Sequence, residues 1–196
     1  MTPARTRTAG PFLDRVTLIA TAADLADRDG WANLTLSRVA EAVDRHVSSL
    51  YTHVDGLDEL RREISLLAVD ELADAVWTAS VGRAGADALE SIAHAQRDFG
   101  RLHPGRLAAL RDRIGIDDPE FRSRAWRLAL PTRTVLMSFG LDEERAARAH
   151  VVFSATIRGL VAPGTPPGVG DDDATLHAAV DLFVTAIGSG DWPSLD

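Results

Sequence analysis

Apolar residues recur at three- and four-residue intervals through most of the chain, the periodicity of helices packed on one side. Val16, Ile19, Ala20, Ala23 and Ala26 mark a first amphipathic helix over about 12–29, stopped by Gly30. A second run over 57–79 carries Leu60, Ile64, Leu67, Ala68, Glu71 and Leu72 along its stripe and edge, and Gly82 and Gly85 end it. Further helices are expected over 86–102 and, after His103-Pro104-Gly105, in a short segment to about Asp112. Asp118 followed by Pro119 has the form of an N-cap and a first helical residue. That helix should reach Phe139 before Gly140, with Pro131 expected to kink it. Asp142 caps another helix to about Val161, and Leu176, Val180, Phe183, Val184 and Ile187 stripe a last one. The stretch 163–173, PGTPPGVGDDD, reads as a linker. With no alternating strand pattern and no internal repeat, the fold class is all-α.

Between Gly30 and Leu57 there is room only for two short helices and a tight connection. Taken as helix–turn–helix over Leu36–Val54, the pair buries Val39, Ala40, Val43, Leu50 and Val54. Thr35 suits the N-cap of the first short helix, and Asp44 tolerates the positive φ that the turn needs. The second helix then shows Arg45, His46, Ser48, Ser49 and Thr52 outward, with Tyr51 and His53 near its far end. Arginine can read guanine through two parallel bonds, while hydroxyls and imidazoles bond phosphate oxygens. The same composition also fits a plain helical hairpin with a polar outer face.

Composition narrows the field. The chain has 196 residues, a net charge of −8 and no Cys, which removes disulfides, thiolate metal sites and thiol nucleophiles. Every one of its 21 basic residues is Arg. The first 53 residues are neutral, six Arg against six acids, so the acidity lies in the remainder. Nucleic-acid binding would therefore rest on local placement of charge rather than a general field. No apolar run reaches the roughly 18 residues of a membrane span. The first residues carry Arg5 and Arg7 but no apolar segment of a secretory signal. A cytoplasmic protein is expected.

The stretch TLSRVAEAVDRHVSSLYTHVDGLDEL, 35–60, resembles the DNA-binding signature of the TetR/AcrR regulators without gaps. Thr35, Val39-Ala40, Leu50-Tyr51, His53 and Leu60 carry the likeness. Departures are Asp44 for the turn Gly, Arg45 for Val, His46 for Ser, Ser48 for Gly, and Leu57 for a phosphate-binding Lys. Val47 is expected to take over the packing that Arg45 cannot supply. The resemblance implies a three-helix DNA-binding domain over 1–56 and a larger helical domain for ligand binding and dimerisation over 57–196. It implies binding to a pseudo-palindromic double-stranded operator through Arg5, Arg7, Thr35, Arg45, His46, Ser48, Ser49, Tyr51 and His53. Arg15 would add affinity.

The resemblance further implies a homodimer that senses a small apolar or amphipathic effector. Trp77, Phe99, Trp126, Met137 and Phe153, large groups spread over separate helices, are the candidate pocket lining, with His94 and His103 adding polarity; each also fits a plain core role. Ile157, Leu160, Val180, Phe183 and Ile187, with Phe153, are candidates for a two-fold four-helix interface. No cofactor or metal is expected: Glu90 and His94 share a helix face, but no third ligand is near in sequence. Nucleophile elbows and phosphate-binding Gly loops are absent from the sequence, so an enzyme is not expected. The alternative is an all-α dimeric sensor or scaffold whose DNA binding is weak or lost.

Overall fold

The computed structural model describes residues 13–112, 117–161 and 173–189, and these form helices without strands. In chain order they are α1 (Arg15–Asp29), α2 (Leu36–Ala42), α3 (Val47–Leu50), α4 (Leu57–Ser80), α5 (Gly85–Leu102), α6 (Pro104–Arg111), α7 (Pro119–Ser138), α8 (Glu143–Leu160) and α9 (Asp173–Gly188). A 3-10 turn, Trp31–Asn33, joins α1 to α2. Arg5, Arg7, Phe12 and nearly all of the expected linker lie outside the described residues.

The ends are set by local chemistry. Asp14, Thr35, Asp118 and Asp142 each accept a backbone N–H of the first turn they precede, satisfying donors that a helix leaves open. α1 therefore begins at Arg15 rather than near Phe12, because the Asp14 side chain holds Thr17 N at 2.7 Å. Asp44 adopts φ 51°, the left-handed conformation that the α2–α3 turn demands. α3 is shorter than expected: four helical residues, followed by turns through His53.

Two apolar clusters organise the molecule. The first gathers Leu18, Ala22, Ala23, Leu25 and Ala26 of α1, Val39 and Ala40 of α2, Leu50 and Val54, and Leu60 and Ile64 of α4. The second joins the later turns of α4 (Ala68, Leu72, Val76) to α5, α7, α8 and α9. α4 thus serves both, which explains why it is buried on more than one side. Ala23 and Ala26 of the expected α1 stripe are buried and Ile19 packs on the core, but Val16 is 77% exposed and Leu18, Ala22 and Leu25 join the inward face. Ala and Val on an Ala-rich helix make the two faces nearly equal in hydrophobicity, so the pattern alone misplaces the stripe by part of a turn.

α6 is pressed onto α1 with no side chain between them. A Cβ on Gly105 would stand 2.2 Å from the Ala26 carbonyl carbon. Beside this contact the buried Arg106 pairs with Asp24 at 2.8 Å, Glu71 at 2.9 Å and Asp27, and His103 lies 3.1 Å from Asp27. Ion pairs around a buried charge such as Arg106 add little net stability, yet removing a partner leaves that charge unpaired. Burial raises the Glu71 carboxyl pKa, and Arg106 partly offsets that rise.

Candidate nucleic-acid interface and the helical domain behind it

α2 and α3 are held by few residues, and each has an identifiable role. Val39, Ala40, Leu50 and Val54 are buried, and Val47 packs against the same core. Val47 thus fills the place expected of it beside the half-buried Arg45, whose Nη1 turns back to the Asp44 carbonyl at 3.0 Å. His46 precedes α3 in an extended conformation and offers no side-chain cap. It is exposed, as are Thr35, Ser48, Tyr51 and Thr52, while Ser49 and His53 are half-buried. The structure thus gathers Arg45, His46, Ser48, Ser49, Tyr51 and His53 on α3 and its borders, with Thr35 at the head of α2.

The arginine expected to reach phosphate beside this surface is engaged elsewhere. Arg15 donates to Glu59 at 2.7 Å, approaches Glu63 at 3.3 Å and also donates to the His53 carbonyl. Glu59 in turn accepts the Asp55 N–H, a contact that closes the start of α4. That bond, followed by Arg15, holds the Glu59 carboxyl below its ordinary pKa. Arg15 is therefore a clamp joining α1, the turn after α3 and α4. Sequence reasoning missed this role, and its only signal was an acidic pair, Glu59 and Glu63, one turn apart on α4. Leu57 packs on the first core as the opening residue of α4.

In the larger domain the candidate pocket residues are divided. Phe99 and Phe153 lie in one buried cluster, whereas Trp77, Trp126 and Met137 are exposed. Trp77 serves the backbone of a neighbouring helix, its Nε1 donating to the Arg127 carbonyl at 3.1 Å. Pro131, four residues on, has no N–H to offer that carbonyl, so the indole replaces the missing helix bond. Trp126 lies under the Arg133 guanidinium, 4.1 Å from the ring centre. His94 stands 3.8 Å from Asp173, and Glu90 bonds His177 at 2.8 Å, so the Glu90–His94 spacing does not converge on one point. Two open crevices, of about 340 and 190 Å³, lie against α1 and include, of the predicted pocket residues, His103 alone.

The residues of the expected interface stripe pack within the protomer. Ile157, Val180, Phe183 and Ile187 are buried within the protomer, where Phe183 packs edge-on against Phe153 with ring centres 5.3 Å apart, and Leu160 packs against the same core. The outer faces of α8 and α9 instead expose Val151, Val152 and Leu182, the last 73% accessible. No helix among the described residues is long and apolar enough to cross a membrane.

No family model matches the chain. An HTH-type transcriptional regulator of Mycobacterium tuberculosis, Rv0681, is 36% identical over 150 residues, 76% of this chain and 69% of that protein. Among solved structures, the TetR family regulator PfmR of Thermus thermophilus aligns with TM-score 0.65 at 21% identity, covering 86% of this chain and 97% of that one. A TetR variant of Acinetobacter baumannii AYE in complex with minocycline aligns with TM-score 0.70 at 19% identity, covering 93% of this chain and all of the other. With α3 and its polar border set on a small three-helix core, and a regulator as a close sequence relative, the chain belongs to the TetR family of helix-turn-helix transcriptional regulators.

Proposed function

We propose that the protein is a cytoplasmic, ligand-responsive repressor that binds a pseudo-palindromic duplex operator as a homodimer. Residues 1–56 read DNA, and residues 57–196 bind the effector and pair the protomers. The observation that carries this reading is the exposed row on α3 and its borders, built on a core that shares α4 with the helical domain behind it. His46, Ser48 and Ser49, with Arg45, supply sequence preference, while Tyr51, His53, Thr35 and the preceding Arg5 and Arg7 hold the backbone. The outer faces of α8 and α9 pair the protomers through Val151, Val152 and Leu182. Three exposed large apolar residues on adjacent helices make a patch that favours association.

A small amphipathic molecule bound behind α4 relieves repression by favouring a different separation of the two α3 helices. Such an effector acts only through its differential affinity for the two arrangements. The minocycline complex of the Acinetobacter protein shows a small molecule held by the same fold. Fluorescence anisotropy with the chain's own upstream DNA, alongside random duplex, tests the proposal. Tight salt-sensitive binding to one segment supports it. Equal, weak binding to both favours the alternative of a sensor or scaffold with lost DNA binding, which the engaged Arg15 and the apolar Leu57 recommend.

A further inference from the structure

In the helical domain behind the DNA-reading core, Arg158 is half-buried with a second guanidinium, Arg111, beside it and no carboxylate against it among the described residues. His150, Ser154 and Arg158 recur every four residues on α8 and so form one row of the helix. The row faces inward: Ser154 is 3% exposed, and His150 and Arg158 are partly buried. His150 Nδ1 lies 3.5 Å from Ser154 Oγ.

The neighbours of this row follow from helix direction. Arg97 reaches Asp173 and Glu90 reaches His177, so α9 runs antiparallel to α5. Phe153 meets Phe183 toward the other end of α9, and Val161 meets Gly100 near the end of α5, which together set α8 parallel to α5. The two helices meet closely at Gly100, where a Cβ would stand 2.9 Å from both Val161 of the α8 cap and Leu107 of α6. One turn back from that contact, Gln96 on α5 lies level with Ile157 and Arg158 on α8. Gln96 is 4% exposed, and its amide has no hydrogen-bond partner among the described residues. From α6, Arg111 donates to the main-chain carbonyl of Arg158 at 2.5 Å, bringing a second guanidinium close.

No carboxylate among the described residues pairs with the Arg158 guanidinium. Other inward arginines differ: Arg106 has Asp24, Asp27 and Glu71, and Arg97 has Asp98 and Asp173. Burial, followed by the charge of Arg111, lowers the Arg158 pKa. Burial, with Arg158 and Arg133, pushes His150 down to about 4, so its ring is neutral near pH 7. An inward guanidinium without an anion opposes folding. One bound anion relieves it, and Gln96 offers a free amide donor beside the same helix face.

We propose that the effector is an organic monoanion, a carboxylate on an apolar body, held at this row. The inference rests on the effector reading above and names the ligand class. Arg158 supplies the forked donor that matches a carboxylate, and Gln96 and Ser154 supply neutral donors. The apolar body extends toward the partly buried Leu110 and Leu160 at the edge of the second cluster. A cationic ligand of the same shape is repelled by Arg158 and Arg111.

Titration calorimetry of the full chain with octanoate, octan-1-ol and octylamine tests the assignment, with DNA release followed by anisotropy. Octanoate is expected to bind at least tenfold more tightly than the alcohol, and the amine not at all. Arg158→Gln should lose at least tenfold in octanoate affinity, and Arg158→Leu should melt no lower than the parent without ligand, because an unpaired inward charge is gone. Equal binding of alcohol and acid, absent octanoate binding, or full octanoate affinity in Arg158→Gln overturns the anion assignment. Octanoate binding that depends on Arg158 yet leaves DNA bound upholds the anion site and overturns the effector reading instead.

Discussion

At the scale of single residues, side chains with ordinary sequence signatures turn out to have one specific partner each. Trp77 substitutes for the helix bond that Pro131 cannot make, by donating to the Arg127 carbonyl. Trp77→Phe should therefore cost about 1 kcal/mol, the worth of one hydrogen bond. Restoring the helix donor with Pro131→Ala should erase most of that loss, and urea denaturation of the double-mutant cycle measures the coupling. Tyr51 is exposed at the end of α3. Tyr51→Phe should weaken binding to operator and random duplex alike, because a phosphate contact carries no sequence information. Unequal losses in anisotropy would make Tyr51 a reader of bases. The sequence marks Tyr51 through its motif and Trp77 through its bulk. It does not show that Trp77 meets a carbonyl 50 residues away, because that meeting depends on how α4 and α7 cross.

At the scale of elements, caps and breakers are the legible part. Asp118, Asp142, Thr35 and the positive-φ Asp44 all stand where residue chemistry places them, since their roles involve partners only a few positions away. Thr35→Ala should lower stability by about 1 kcal/mol through loss of the cap to Arg38 N, read as a shift in the denaturation midpoint. Which face of a helix looks inward is less legible wherever small apolar residues surround the axis. α8 and α9 show the limit: their strongest stripes suggest a partner but serve the protomer's own core. Gly105 reads in the sequence only as punctuation between two helices. Its contact with Ala26 predicts that Gly105→Ala drives α6 away from α1 at a cost of about 1–3 kcal/mol or more, measurable by thermal melting.

At the scale of the whole molecule, acid stability and assembly carry the remaining expectations. His150 is held at about 4 in the fold against an ordinary 6.5, so the unfolded chain binds more protons between those values. Its contribution is complete above pH 6.5 and is lost as pH falls toward 4. His150→Gln should flatten that limb of the stability curve, by up to about 3 kcal/mol at its foot. Leu182→Arg should leave the protomer folded, since Leu182 is 73% exposed, yet give a monomer by light scattering and weaken operator binding. α4 sets a length scale for the proposed dimer. It is an unbroken rod of 24 residues, about 36 Å long, anchored near one end in the DNA-reading core and over the rest in the domain behind. A rod that long works as a gear of high ratio. A tilt of about 10° would carry its far end through about 6 Å, and mirrored in a second protomer about 12 Å, a third of the turn of DNA that separates two half-sites.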